Sequence, residues 1–123
     1  MKSYTDIPQS KTLAEILPIE SADLWWNESK NYPEFIKTYH EYLSVSIPPI
    51  PCWSLAALLN VLPKIYYPVK GHKTDLILGK PKDKWCVLYW DTTGMQDGEE
   101  TLGDNPIDAC VDMIVKLKEK NMI

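Results

Sequence analysis

TDLILGKPKDKWCVLYWD, residues 74–91, decides the fold class. Two β-rich runs, TDLILG and KWCVLYWD, flank KPKD, which supplies turn residues. The stretch reads as an antiparallel hairpin. Period-two alternation puts Trp85, Val87 and Tyr89 on one face and Cys86, Leu88 and Trp90 on the other. Both faces are apolar, which predicts a cover over each. The turn-rich return that follows, residues 92–103, holds a candidate third strand in EETL.

Helical signals bracket the hairpin. DNPIDACVDMIVKLKEK predicts a long amphipathic helix over 105–120, with Asn105 as N-cap and Pro106 as the first helical residue. Ile107, Cys110, Val111, Ile114 and Leu117 form its buried stripe. Asp104, Asp108 and Asp112 lie toward the positive end of the helix dipole, and Lys116, Lys118 and Lys120 toward the negative end. Asp112 and Lys116 form an i,i+4 pair worth roughly 0.3 kcal/mol. SLAALLNVL (54–62) predicts a central helix capped by Ser54, with Trp53 stapled onto Leu58 and Pro63 as the stop. SKTLAEIL (10–17) predicts a short helix capped by Ser10, after a loose start over residues 1–8. YPEFIKTYHEYL (32–43) has Phe35, Ile36, Tyr39 and Leu43 at helical spacing. ADLWWN (22–27) reads as a short strand in need of a partner, and SIPPIP (46–51) as a stiff extended connector and hinge.

This order predicts a single α+β domain over residues 1–123. Short N-terminal helices and a central helix pack on a small antiparallel sheet, the hairpin 74–91 with a possible third strand. The long C-terminal amphipathic helix closes it.

Composition narrows the function classes. The net charge is −4 and every one of the 13 cations is lysine. Without arginine the chain lacks the planar fork that reads guanine edges, so sequence-specific nucleic-acid binding is not expected. Cys52, Cys86 and Cys110 are widely spaced with no CxxC pair, which predicts reduced thiols and no structural zinc. Residues 1–30 hold no apolar run of signal-peptide length and no stretch approaches a membrane span, so the expectation is cytoplasmic.

Three sets of residues are candidates for function. Five Trp and seven Tyr stand against a lone Phe35, and such rings suit contact surfaces; Trp25, Trp26, Trp53 and Trp90 are the protein-binding candidates. Six lysines fall between Lys64 and Lys84, and Lys70, Lys73, Lys80, Lys82 and Lys84 are the candidates for a weak nucleic-acid or anion site. Cys52 precedes a helix and His72 follows later. Cys52-Trp53 followed by a histidine resembles papain-like cysteine peptidases, which implies a thiol nucleophile activated by His72. The glycines and glutamine of that motif are missing here. No metal-ligand spacing surrounds His40 or His72, no glycine-rich phosphate loop is present, and the acidic residues from Asp91 to Asp104 do not follow the calcium-loop pattern. No metal or cofactor is expected.

QSKTLAEILPIESADLWW (9–26), PCWSLAALLNVLP (51–63) and DNPIDACVDMIVKLKEKNMI (104–123), in this order, resemble a family of small uncharacterised proteins of gut Bacteroides and relatives, often found among phage or mobile-element genes. The resemblance implies a bacterial, cytoplasmic α+β domain of mobile-element origin and supplies no catalytic residues. Together these readings predict a non-enzymatic protein-binding or adaptor module, able to form a homodimer. The alternatives are the lysine-rich anion binder and the thiol enzyme.

Overall fold

The hairpin is the centre of the molecule. In the computed structural model, which describes residues 1–27, 32–35, 49–69, 72–91 and 97–123, it is β5 (His72–Gly79) and β6 (Trp85–Asp91). Ahead of it come α1 (Ile7–Ile16), a 3-10 turn (Ile19–Ser21), β1 (Leu24–Trp26), β2 (Pro33–Phe35), β3 (Ile50–Cys52), α2 (Leu55–Val61) and β4 (Ile65–Val69). After it come β7 (Asp97–Gly103) and α3 (Pro106–Glu119). The strands form two antiparallel sheets, a small one ordered β2-β1-β3 and a larger one ordered β4-β5-β6-β7. The class is α+β, with α3 packed on the larger sheet. Among the described residues, no helix is long and apolar enough to cross a membrane.

The inner face of the larger sheet holds the core. Val87 and Tyr89 are fully buried, and Leu76, Leu78 and Trp85 pack against the same cluster. The stripe predicted for α3 supplies the other half: Ile107, Cys110, Val111, Ile114 and Leu117 are all buried, joined by Ala109 and Met113. Two polar bonds fix the layers. The Tyr89 hydroxyl donates to the Pro63 carbonyl at 2.7 Å, and the Thr101 hydroxyl donates to the Ala109 carbonyl at 2.7 Å. The start of α3 lies so close to the end of β7 that a Cβ on Gly103 would sit 2.7 Å from the Ala109 backbone nitrogen. Only glycine permits that approach.

The helix caps follow their sequences. Asn105 accepts from the Asp108 amide and Ser54 from the Ala57 amide, as expected. α1 begins earlier than expected. Asp6, not Ser10, is its N-cap, in a capping box with Gln9. Ser10 is instead fully buried, its hydroxyl 2.7 Å from that of Thr5. The start of the chain is not loose: Tyr4 bridges Ser54, and the Thr5 amide donates to the Trp53 carbonyl at 3.0 Å.

Strand pairing overrides several local signals. Residues 33–35, predicted helical, form β2 against β1; residues 36–43 of that prediction lie outside the described part. The end of the proline connector is an edge strand, β3, where Pro51 opposes Trp25. An edge tolerates proline because one side of the strand needs no ladder donor. His72 starts β5, β4 is a further strand, and EETL lies within β7. Lys116 does not pair with Asp112; its ammonium reaches Glu99 of β7 at 3.1 Å.

Candidate interaction surface

Alternation along β5, β6 and β7 leaves one set of side chains on the outer face of the larger sheet. The strand register arranges them in three rows. Asp75 opposes Trp90, Ile77 opposes Leu88 and then Glu100, and Gly79 opposes Cys86 and then Leu102. A bulge between Leu88 and Trp90 shifts β7 by one residue at the first row. The cover expected over this face is missing from its large side chains: Ile77 is 45% exposed, and Trp90 and Leu102 are each 52% exposed. Leu88 is half-buried between them and Cys86 is buried at the foot of the face. Burial pushes the Cys86 thiol above its ordinary range, and the nearby Glu100 carboxylate adds to the shift. The face is therefore an apolar strip with a half-exposed indole at one end and Gly79, Cys86 and the half-exposed Leu102 at the other. A Cβ on Gly79 would meet nothing within 4 Å.

The four tryptophans proposed from the sequence are not brought together. Trp53 is fully buried, and its indole N–H donates to Ser21 Oγ at 2.9 Å. It is a core residue, held between Ser21 of the 3-10 turn and Thr5 of the N-terminal segment, and it drops out of the contact set. Trp26 is half-buried; its indole donates to the Thr5 carbonyl at 3.2 Å and its ring meets Tyr4 edge-on at 5.5 Å. That ring clamps the N-terminal segment. Trp25 is half-buried on the opposite side of β1. Trp90 alone of the four is exposed. Ile77, Gly79 and Leu102 were missed as members of its face, although alternation through residues 74–91 already puts Ile77 beside Leu88.

The lysine set is divided. Lys80, Lys82 and Lys84 lie in the turn between β5 and β6 and are exposed. Lys84 pairs with Asp104, and the Lys80 ammonium lies 5.9 Å from the centre of the Trp85 ring. Lys82 extends from the tip of the turn. The side chain of Lys73 and the whole of Lys70 lie outside what the structure describes.

Cys52 ends β3 and is fully buried. Its thiol lies 3.5 Å from the Thr5 hydroxyl and donates to the Thr5 carbonyl at 3.4 Å. Burial pushes its pKa up, the reverse of what an activated nucleophile needs. The His72 side chain lies outside the described part, so the pairing with Cys52 has no geometry to support it. All three cysteines are free and buried. Among the described residues, no cluster of three His, Cys, Asp or Glu side chains is arranged to hold a metal ion.

No family model matches the chain, and neither does a curated protein or a solved structure.

Proposed function

We propose that this protein is a non-enzymatic protein-binding module whose contact surface is the outer face of the larger sheet, centred on Trp90. The observation that supports the reading is the asymmetry of that sheet. Its inner face is sealed by α3, whereas its outer face keeps Ile77, Trp90 and Leu102 about half in water. Burying such a strip is worth about 25 cal/mol per Å2 of apolar area, before the costs of association are subtracted. Trp is the side chain that most often anchors a protein contact, and here it stands over a rigid ladder rather than a loop. The resemblance to small proteins of gut Bacteroides supports a bacterial, cytoplasmic setting and an origin on a mobile element. The lysine turn is the weaker surface, because Lys84 is paired with Asp104 and Lys80 lies over Trp85.

The test is capture from cells with immobilised protein and two variants, Trp90→Ser and Lys82→Ser. The expected result is a set of proteins retained by the wild type and by Lys82→Ser and lost with Trp90→Ser. Capture that depends on Lys82, disappears at moderate salt and ignores Trp90 contradicts the proposal and favours the anion-binding alternative.

A further inference from the structure

Cys52 is fully buried, yet it stands apart from the core cluster that holds Cys110. Its sulfur bonds instead to the first segment of the chain. The thiol donates to the Thr5 carbonyl at 3.4 Å, and the Thr5 hydroxyl lies 3.5 Å from the sulfur. We infer that residues 1–5 form a strap that opens on its own, without unfolding the rest of the molecule, and that this opening gates access to Cys52. The gate lies on β3, in the smaller sheet, and owes nothing to the outer face of the larger one.

The strap is tied down by polar groups. Among the described residues, the core cluster takes no side chain from it. Met1 is 87% exposed, Ser3 is exposed, and Lys2 and Tyr4 are half-buried. Thr5 is fully buried, but its surroundings are polar. Its hydroxyl lies 2.7 Å from that of Ser10 and accepts from the Trp53 amide at 3.1 Å. Its amide donates to the Trp53 carbonyl at 3.0 Å, and its carbonyl accepts from the Trp26 indole at 3.2 Å. The Tyr4 ring meets Trp26 edge-on, and the Lys2 ammonium reaches Asp108 at 3.0 Å. Hydrogen bonds and ion pairs of this kind are exchanged for bonds to water when a segment lifts, so their net hold is small. Burial of apolar surface has no such exchange, and it is what ties a segment into the cooperative unit. The boundary falls at Asp6, which caps α1, and Leu13 of that helix is fully buried in the core cluster. The helix therefore stays when the strap lifts. Small solutes then reach the Cys52 thiol, while Cys110 remains sealed beside Ile107 and Ile114 of the same cluster.

Thiol labelling of the full folded chain tests this, with iodoacetamide at mildly alkaline pH and urea held below the unfolding transition. Each cysteine is read from the mass of its own peptide. Cys52 is expected to label faster than Cys110 by roughly tenfold or more, at a rate nearly flat in urea, whereas the Cys110 rate climbs with the slope of global unfolding. Lys2→Met and Thr5→Val each cut a tie, and Cys52 labelling rises about threefold in the first and about fivefold in the second. Ile114→Val weakens the core in the open and closed forms alike, so it speeds Cys110 and leaves Cys52 as it was. Cys52 labelling that follows Cys110 in both rate and urea slope means that the strap leaves only with the whole fold, and overturns the inference. So does local labelling indifferent to both Lys2→Met and Thr5→Val, which assigns the opening to another segment.

Discussion

Asn121 follows α3 with φ at 58°, in the left-handed region. Around it the Met122 amide donates to the Leu117 carbonyl at 2.8 Å and the Asn121 amide to that of Lys118 at 3.0 Å. This pair of bonds is the Schellman ending, and glycine suits its central position better than asparagine does. Asn121→Gly is expected to stabilise the fold by roughly 0.5 kcal/mol in urea unfolding. Gly103 has the opposite problem. Its missing Cβ is what lets Ala109 approach, so Gly103→Ala is expected to cost about 1–3 kcal/mol, whereas Gly79→Ala stays within about 0.5 kcal/mol. Neither constraint is visible in the residue type alone, since glycine reads as turn material in both places. The tryptophans make the same point. Trp53 and Trp90 have equal claims from the sequence, yet one fills the core and the other stands half in water. What separates them is their position in elements that the ring itself does not determine.

At the scale of elements, helices were legible, and of the short strands only β1, within the strand expected over 22–27, was. A helix carries its own signals: the caps at Ser54 and Asn105, the stop at Pro63 and the apolar stripe of α3 all lie within a few residues of one another. β2 and β3 have three residues each and exist only because β1 lies between them. Their partners come from distant parts of the chain, so at residues 33–35 pairing overrode the local helical spacing. The junction of α1 and α3 was also hidden, since it joins residues about a hundred positions apart. Asp108 accepts from Gln9 at 2.8 Å, from Asn105 at 2.9 Å and from Lys2 at 3.0 Å. Burial works against its ionisation, but the bonds from Lys2 and Gln9 and the Lys2 charge outweigh this and hold its carboxyl below the ordinary value of 3.8. Hydrogen bonding to Lys120 chiefly, with Lys116 adding to it against the cost of burial, holds Glu99 below its ordinary 4.5. A carboxyl with a depressed folded-state pKa contributes stability that is present above its unfolded value and lost as the pH falls through its folded one. Unfolding free energy is therefore expected to drop as pH is lowered from 5 toward 3, through the ordinary values of 4.5 and 3.8. Asp108→Asn is expected to be less stable at neutral pH and to show a shallower acid limb in urea titrations. An unchanged slope in that variant means the junction does not carry the effect.

At the scale of the molecule, the two faces of one sheet differ. Its inner face is covered by α3, and α2 and α1 pack against α3 in the same core cluster. Among the described residues no comparable layer lies on its outer face, although the sequence makes both faces of β6 equally apolar. The apolar alternation foretold the two faces but not which of them would be covered, because covering depends on where α3 returns. The thiols divide along the same line. Burial pushes Cys110 up to about 12 in the core, so its alkylation is expected only on unfolding, while Cys86 at the foot of the outer face reacts sooner. Equal rates for the two in the folded protein contradict this layering.

The most direct measurement sets Trp90→Ser beside Trp53→Ala, reading urea unfolding and binding on the same samples. Trp53→Ala is expected to lose about 3–5 kcal/mol, as a cavity in the core does. Trp90→Ser is expected to unfold within about 0.5 kcal/mol of the wild type and to lose the proteins that the wild type captures. A Trp90→Ser protein that binds as the wild type does, or one destabilised as severely as Trp53→Ala, contradicts the assignment of the outer face as a contact surface.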